Sequence, residues 1–303
     1  MSAPQEPRAP REGRTPRERG QVAVIGAGTM GHGIAQVAAA AGRRVLLHDA
    51  DPSSLERGLA QVGANLDKGV SLGKVTPGER ETVLARVGGA DTLADAVREA
   101  ELVIEAVPEK LELKRALFAA IEPLAPPDAL LATNTSSLSI AELARDLERP
   151  ANLLGLHFFN PVHIMKLVEV VHGPATSEAT LEQGVSFVRE IGREPIVVRD
   201  SPGFASSRLG VALGLEAIRM LEEGVASAED IDRAMELGYR HPMGPLRLTD
   251  LVGLDVRLGI SEYLHETLGG ERFRPPELLR RMVAEGRLGR KTGHGFHEWN
   301  EPD

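Results

Sequence analysis

The chain of 303 residues contains no cysteine. That absence excludes disulfides, thiolate-ligated zinc and thiol nucleophiles, and it agrees with a reducing, cytoplasmic setting. Aromatic residues are scarce: one Trp, two Tyr and seven Phe. No apolar run reaches the roughly 18 residues that a membrane-spanning helix needs, so no membrane partner is expected. Basic charge is outweighed by acidic charge, 35 Lys and Arg against 44 Asp and Glu, and the net value of −9 argues against a general nucleic-acid-binding surface. The first 19 residues lack anything to bury: they hold four prolines, five arginines and no apolar segment of the kind a secretory signal requires. They read as a tail outside the fold or an over-extended start, with a docking arm as the sharper alternative.

What is present is the balance of a globular protein, 42% apolar and 26% charged, with length for two domains. Val22-Ala23-Val24-Ile25 is a short apolar run halted by Gly26, as expected of a buried parallel strand. A small-residue helix is predicted from about Thr29 to Ala41, and a second strand at Val45-Leu46-Leu47, completing one βαβ unit. Helices are expected over 52–72, 77–87 and 109–122. Strands are expected at Leu102–Ile104, Ala129–Ala132, Leu153–Leu156, Lys166–Val171 and Ile196–Val198. Beyond Asp200 the strand-like runs stop, and helices are predicted near 203–223, 227–237, 244–267 and 275–285. The fold class is therefore α/β: an N-terminal, Rossmann-type, mostly parallel sheet over 20–200, then an all-helical domain over 201–303.

Gly26-Ala27-Gly28-Thr29-Met30-Gly31 fits G-x-G-x-x-G between a strand and a helix, the context that gives this motif its meaning. Gly26 would make the tight turn, Gly28 would let the backbone approach a pyrophosphate, and Gly31 would let helix and strand lie close. The first helical turn, with Met30 in it, offers free N–H groups to phosphate. Asp49, eighteen residues past Gly31, ends the second strand. A carboxylate there accepts hydrogen bonds from ribose hydroxyls and repels a 2′-phosphate, so the expected cofactor is NAD.

His157 and Glu169 lie on successive predicted strands joined by an Asn-Pro turn, and a hairpin centred near 163 sets them opposite each other. An imidazole held by a carboxylate is a base suited to taking a hydroxyl proton during alcohol oxidation. On spacing alone the pair reads first as structural, and His163 and His172 are rival bases. Asn134-Thr135-Ser136-Ser137 follows a strand, where parallel sheets gather ligands, while Ser139 with Glu142 matches a helix cap.

The segments GAGTMGHGIA, Glu105-Ala106-Val107-Pro108-Glu109 with Lys114, NTSSLSI, HFFNP, MKLVEV, DSPGF, HPMGPL and KTGHGF occur in that order over about 21–297. In this the chain resembles the L-3-hydroxyacyl-CoA dehydrogenases, and among them the single-function bacterial 3-hydroxybutyryl-CoA dehydrogenases. The resemblance implies oxidation of an (S)-3-hydroxyacyl-CoA by NAD, or the reverse, and a C-terminal domain that forms a homodimer. It implies His157 as base, Glu169 as its partner, and Ser136 at both substrate and nicotinamide. It further implies Asn160 in the same pocket, and Glu109, Lys114 and Lys291 near the cofactor. It reverses the order of the two readings of His157 and Glu169. The chain departs from the family at Ser207, where an Asn that reaches the substrate is usual; a serine there retains a shorter hydrogen-bonding group. Two further readings stay open: a CoA-independent dehydrogenase of the same superfamily, and a dinucleotide-binding protein with little turnover.

Overall fold

The computed structural model describes residues 20–299; the arginine-rich segment 1–19 lies outside them. The first half alternates strand and helix: β1 (Gln21–Ile25), α1 (Thr29–Ala40), β2 (Val45–His48), α2 (Pro52–Ser71), α3 (Pro77–Leu84), β3 (Val87–Gly89), α4 (Leu93–Val97) and β4 (Ala100–Glu105). Next come α5 (Leu111–Ile121), β5 (Leu130–Thr133), α6 (Ile140–Ala144), β6 (Leu153–Phe158), β7 (Leu167–His172), α7 (Glu178–Glu190) and β8 (Glu194–Arg199). The rest is helical: α8 (Ser206–Glu222), α9 (Ala228–Tyr239), α10 (Pro245–Val252), α11 (Leu254–Leu268) and α12 (Glu277–Ala284), with short 3-10 turns.

One sheet of eight strands runs β3-β2-β1-β4-β5-β6-β7-β8, parallel at every junction except β6 with β7. Its central strands carry apolar runs with little alternation because helices cover both faces. Val22 and Val24 of β1 face one layer, shared with Ile34 of α1, Val62 of α2 and Val188 of α7. Ala23 and Ile25 face the other, with Ala96 of α4, Phe118 and Ile121 of α5 and Ile140 of α6. Each large side chain so buried contributes about 1.5–3 kcal/mol. The carboxyl ends of the strands align, with Ile25 beside Glu105, Glu105 beside Thr133, and Thr133 beside Gly155, two residues before His157. The chain reverses its direction across the sheet between β1 and β4, the place where open α/β sheets take ligands.

A third cluster, including Val211, Leu215, Ile218, Leu246, Leu254, Leu264 and Leu279, is the core of the helical part. Its last segment is tied down by two buried carboxylates. Asp232 accepts the N–H groups of Leu246 (2.8 Å) and Arg247 (2.9 Å) and pairs with His297 Nε2 (2.8 Å). Asp250 accepts from Phe296 N, His297 N and the Trp299 indole.

The α/β class, the mostly parallel sheet and the helical second part are as the sequence predicts. Three local expectations differ. The helix predicted over 77–87 ends at Leu84, because Val87–Gly89 instead adds β3 to the edge of β2. The single helix predicted over 244–267 is two, broken where Gly253 turns at φ +101°. Helices α4 and α7 form where the sequence predicts no element; α7 packs on the sheet through Phe187 and Val188.

Candidate active site

The first component is the turn leaving β1. Gly26 has φ +103°, and a Cβ there would lie 2.7 Å from the Ala106 carbonyl oxygen; at Gly31 it would lie 1.7 Å from the Gly26 oxygen. A side chain at Gly26 would push the turn off the segment that follows β4, and one at Gly31 would push α1 off the strand. At Gly28 a Cβ would meet nothing within 4 Å, so the backbone there is open to a ligand. The N–H groups of Thr29, Met30 and Gly31 precede the first amide that bonds within α1, His32 N to Gly28 O. Only the Met30 backbone belongs to this donor set; its side chain packs on the sheet core. Asp49 ends beside the turn and accepts from Ala27 N (2.8 Å) and Asp51 N (3.0 Å). A hollow of about 220 Å³ opens here, lined by Ala27, Gly28, Thr29 and His32. A cradle of unspent N–H groups with a carboxylate at its side fits the pyrophosphate and adenosine ribose of NAD.

The second component is His157 with Glu169. The antiparallel register of β6 and β7 places them as direct partners, as the hairpin centred near 163 requires. His157 Nδ1 donates to Glu169 Oε2 at 2.6 Å. Glu169 is fully buried and also accepts from Ala205 N (3.1 Å), Ser206 N (2.9 Å) and Ser206 Oγ (2.7 Å). Burial pushes this carboxyl up, but the hydrogen bonds from His157 and Ser206 outweigh it and hold the group below the usual range. An ionised carboxylate only accepts, so it fixes the proton on Nδ1 and leaves Nε2 as the basic nitrogen. No hydrogen bond among the described residues occupies that Nε2. The rings of Phe159 (4.5 Å between centroids) and Phe204 (5.9 Å) flank the imidazole.

The third component gathers on Glu109. Its Oε1 accepts from Thr135 Oγ1 (2.6 Å) and Ser136 N (2.8 Å), and its Oε2 lies 3.3 Å from Lys114. Lys114 is almost wholly buried, with its ammonium 2.6 Å from Glu105 and 3.1 Å from the Val107 carbonyl. Burial raises the Glu105 carboxyl, against the pull of Lys114 and of hydrogen bonds from Thr133 and Val107. Lys114 therefore has acceptors for all its protons inside the protein and reaches the site through Glu109. Asn134 accepts from Phe158 N (3.0 Å), which joins this loop to β6. The Ser136 hydroxyl has no partner among the described residues. Ser139 caps α6 and donates to Asp200 (2.8 Å), so the cap reading holds for it alone.

Ser207 Oγ reaches the Ser136 carbonyl at 3.4 Å, which brings the start of α8 to the same place. Asn160 is exposed and precedes a cis peptide bond to Pro161 on the turn beyond β6. Lys291 is not brought to the glycine turn: it pairs with Asp255 at 2.5 Å, beside Gly253 in the helical part. The rival His163 lies on that turn with no carboxylate partner among the described residues; burial, then the positive charges of His32, Arg193, Lys68 and Lys74, lowers it. The rival His172 lies at the far end of β7, paired in register with Arg199. The residues missed from the sequence are Ser206 and Ala205, which supply three of the four bonds to Glu169. Their only signal was position, at the start of a predicted helix.

Two family models cover nearly all the described chain. The NAD binding domain of 3-hydroxyacyl-CoA dehydrogenase matches residues 21–201 and the C-terminal domain of the same family matches 203–299. A probable 3-hydroxybutyryl-CoA dehydrogenase of Bacillus subtilis is 44% identical over 93% of this chain and 98% of its own length. The 3-hydroxybutyryl-CoA dehydrogenase of Bradyrhizobium diazoefficiens is 44% identical over 92% of this chain and 95% of its own. The crystal structure of (S)-3-hydroxybutyryl-CoA dehydrogenase PaaH1 from Ralstonia eutropha superposes with a TM-score of 0.89 at 39% identity, covering 93% of this chain and 99% of that one. With the glycine turn, the His157–Glu169 pair and both domains accounted for, the chain belongs to the 3-hydroxyacyl-CoA dehydrogenase family, with an NAD binding domain at its N-terminus.

Proposed function

We propose that this protein interconverts (S)-3-hydroxyacyl-CoA and 3-ketoacyl-CoA with NAD, on short chains such as 3-hydroxybutyryl-CoA, a step of β-oxidation type. The observation that carries this reading is the buried 2.6 Å bond from His157 Nδ1 to Glu169, which leaves Nε2 as a base. Bound along the Gly26–Gly31 turn, with Asp49 at its ribose, NAD supplies the hydride acceptor. His157 Nε2 takes the hydroxyl proton, and Glu169 stabilises the imidazolium that results. In the reverse direction the imidazolium returns that proton to the ketone oxygen. The unspent Ser136 hydroxyl is positioned to bind the substrate oxygen, with Ser207 and Asn160 at the edges of the same pocket. Glu109, held by Lys114, orients the Ser136 backbone.

A hollow of about 660 Å³ beside the 161–166 turn is lined in part by Lys74, Arg86, His163 and Arg193, and offers cationic charge to the phosphates of CoA. Leu209, Leu237, Tyr239, Leu251 and Val256 stand exposed on α8 to α11 and support a homodimer through the helical domain. A cytoplasmic setting belongs to the same proposal.

The test is NADH consumption with acetoacetyl-CoA, beside free acetoacetate and beside NADPH. Turnover confined to acetoacetyl-CoA with NADH is the expected result, because Asp49 repels a 2′-phosphate. Equal turnover of free acetoacetate would move the protein to the CoA-independent branch of the superfamily, and absence of turnover would overturn the proposal.

A further inference from the structure

Arg257 of α11 is 5% exposed, and its Nε is buried with no hydrogen-bond partner. No ion pair reaches it among the described residues, and burial alone pulls it down to about 10. Three acids of its own and the preceding helix are committed elsewhere, Asp255 to Lys291, Glu262 to Arg280, and Asp250 to Phe296, His297 and Trp299, and the fourth, Glu266, stands nine residues, about 13 Å, further along α11. A buried guanidinium without a counter-charge is costly and calls for an occupant that supplies one.

Helix α8 makes the space for it. A Cβ on Gly214 would lie 3.6 Å from Arg257 Nε and 3.7 Å from Cζ, and one on Gly210 would lie 3.5 Å from Nη1. The side chain therefore runs along α8 from Gly214 towards Gly210, in the direction of the helix start. Ser207, Gly210 and Gly214 share one face at i, i+3 and i+7. Ser207 is the residue of that face in contact with Ser136, and Gly210 stands about 4.5 Å further along the axis. A stripe of small residues thus leads from the proposed reaction centre to an unpartnered, buried cation.

Resting on the reaction proposed above, we infer that Arg257 is a specificity residue that receives a carboxylate at the far end of the acyl chain, so that among chains longer than the four-carbon substrate a dicarboxylic 3-hydroxyacyl-CoA is favoured. The carboxylate and guanidinium form charge-assisted hydrogen bonds in a desolvated slot. An acyl chain of the same length ending in methyl leaves the guanidinium unpaired and is rejected for that reason.

The experiment compares 3-oxoadipyl-CoA with 3-oxohexanoyl-CoA, chains of equal length ending in carboxylate and in methyl, in the full-length protein and in Arg257→Met and Gly210→Leu. Expected is a kcat/KM ratio favouring the acid by about tenfold or more in the unaltered protein, carried mainly by KM. The ratio falls to one or below in Arg257→Met. Gly210→Leu keeps the cation but sets a side chain against its Nη1, where the carboxylate would bind, and lowers the ratio as well. Should Arg257→Met fail to fold, the unaltered protein and Gly210→Leu decide the matter. A ratio near one in the unaltered protein, or a ratio untouched by either variant, overturns the inference; loss of dimer with an untouched ratio would assign Arg257 to the subunit contact. Acetoacetyl-CoA, with a single carbon beyond its ketone, is run alongside. Its failure would sink the reaction itself, whereas its success with no preference for the acid sinks only the role of Arg257.

Discussion

Two glutamates of the same sheet, Glu105 at the end of β4 and Glu169 in β7, are both wholly buried, and both hold a nitrogen cation or its precursor at 2.6 Å. Their surroundings divide them. Around Glu105 the network closes: Thr133, Val107 and Lys114 satisfy the acid, and Glu105, Val107 and Glu109 satisfy Lys114. Around Glu169 the acid is equally satisfied, yet its cation partner keeps one ring nitrogen unspent. Burial wins at Glu105 and raises it; hydrogen bonding wins at Glu169 and lowers it. A closed network can only support structure, while one with a single vacancy can move a proton.

That contrast is broken most severely at His157. Replacing His157 by Gln should reduce turnover by about 10²–10⁴-fold while NADH binding persists; a variant within a few-fold of the unaltered rate would return the pair to a structural role. Lys114→Met should act on stability, costing about 3–5 kcal/mol in chemical denaturation because Glu105 is left buried without its partner. The double variant Glu105→Gln, Lys114→Met should recover part of that loss, and failure to recover would deny the coupling.

The mildest test uses a third pair, His297 with Asp232, whose hydrogen bond raises the imidazole above its ordinary value of 6.5. A raised histidine stabilises the fold fully below about pH 6.5, and that contribution is lost as pH rises through the folded value. Stability should therefore fall over that interval by about 1 kcal/mol or less, read as a downward drift of the thermal midpoint. His297→Asn should flatten the drift and leave turnover intact. A large loss of turnover would mean that a histidine–carboxylate pair outside the sheet also serves the reaction.

The legibility of the molecule in its sequence followed the range of the contacts involved. Strands β1, β4 and β6 were legible because a strand covered on both faces carries a continuous apolar run, with any polar side chain near its end. Strand β3 was not, because Val87-Gly88-Gly89 has no apolar run and joins the sheet only by backbone pairing to β2. The break at Gly253 lay inside an otherwise continuous helical pattern, where one glycine does not announce a positive φ. His157 and Glu169 could be aligned by counting across a hairpin. Ser206 and Ala205 lie 37 and 36 residues from Glu169, and no local pattern joins them to it. No local pattern singles out Arg257, because its burial involves two glycines of a different helix.

The carboxylate of Glu169 takes one hydrogen bond from its own domain, at His157, and three from the start of α8 in the other. Its grip on the imidazole is therefore only as firm as the seating of the helical domain. A substitution that loosens α8 far from the chemistry should cost rate before it costs folding. Surveys of such variants should find that the helical half, which contributes no base of its own, sets the tolerance of the base to change.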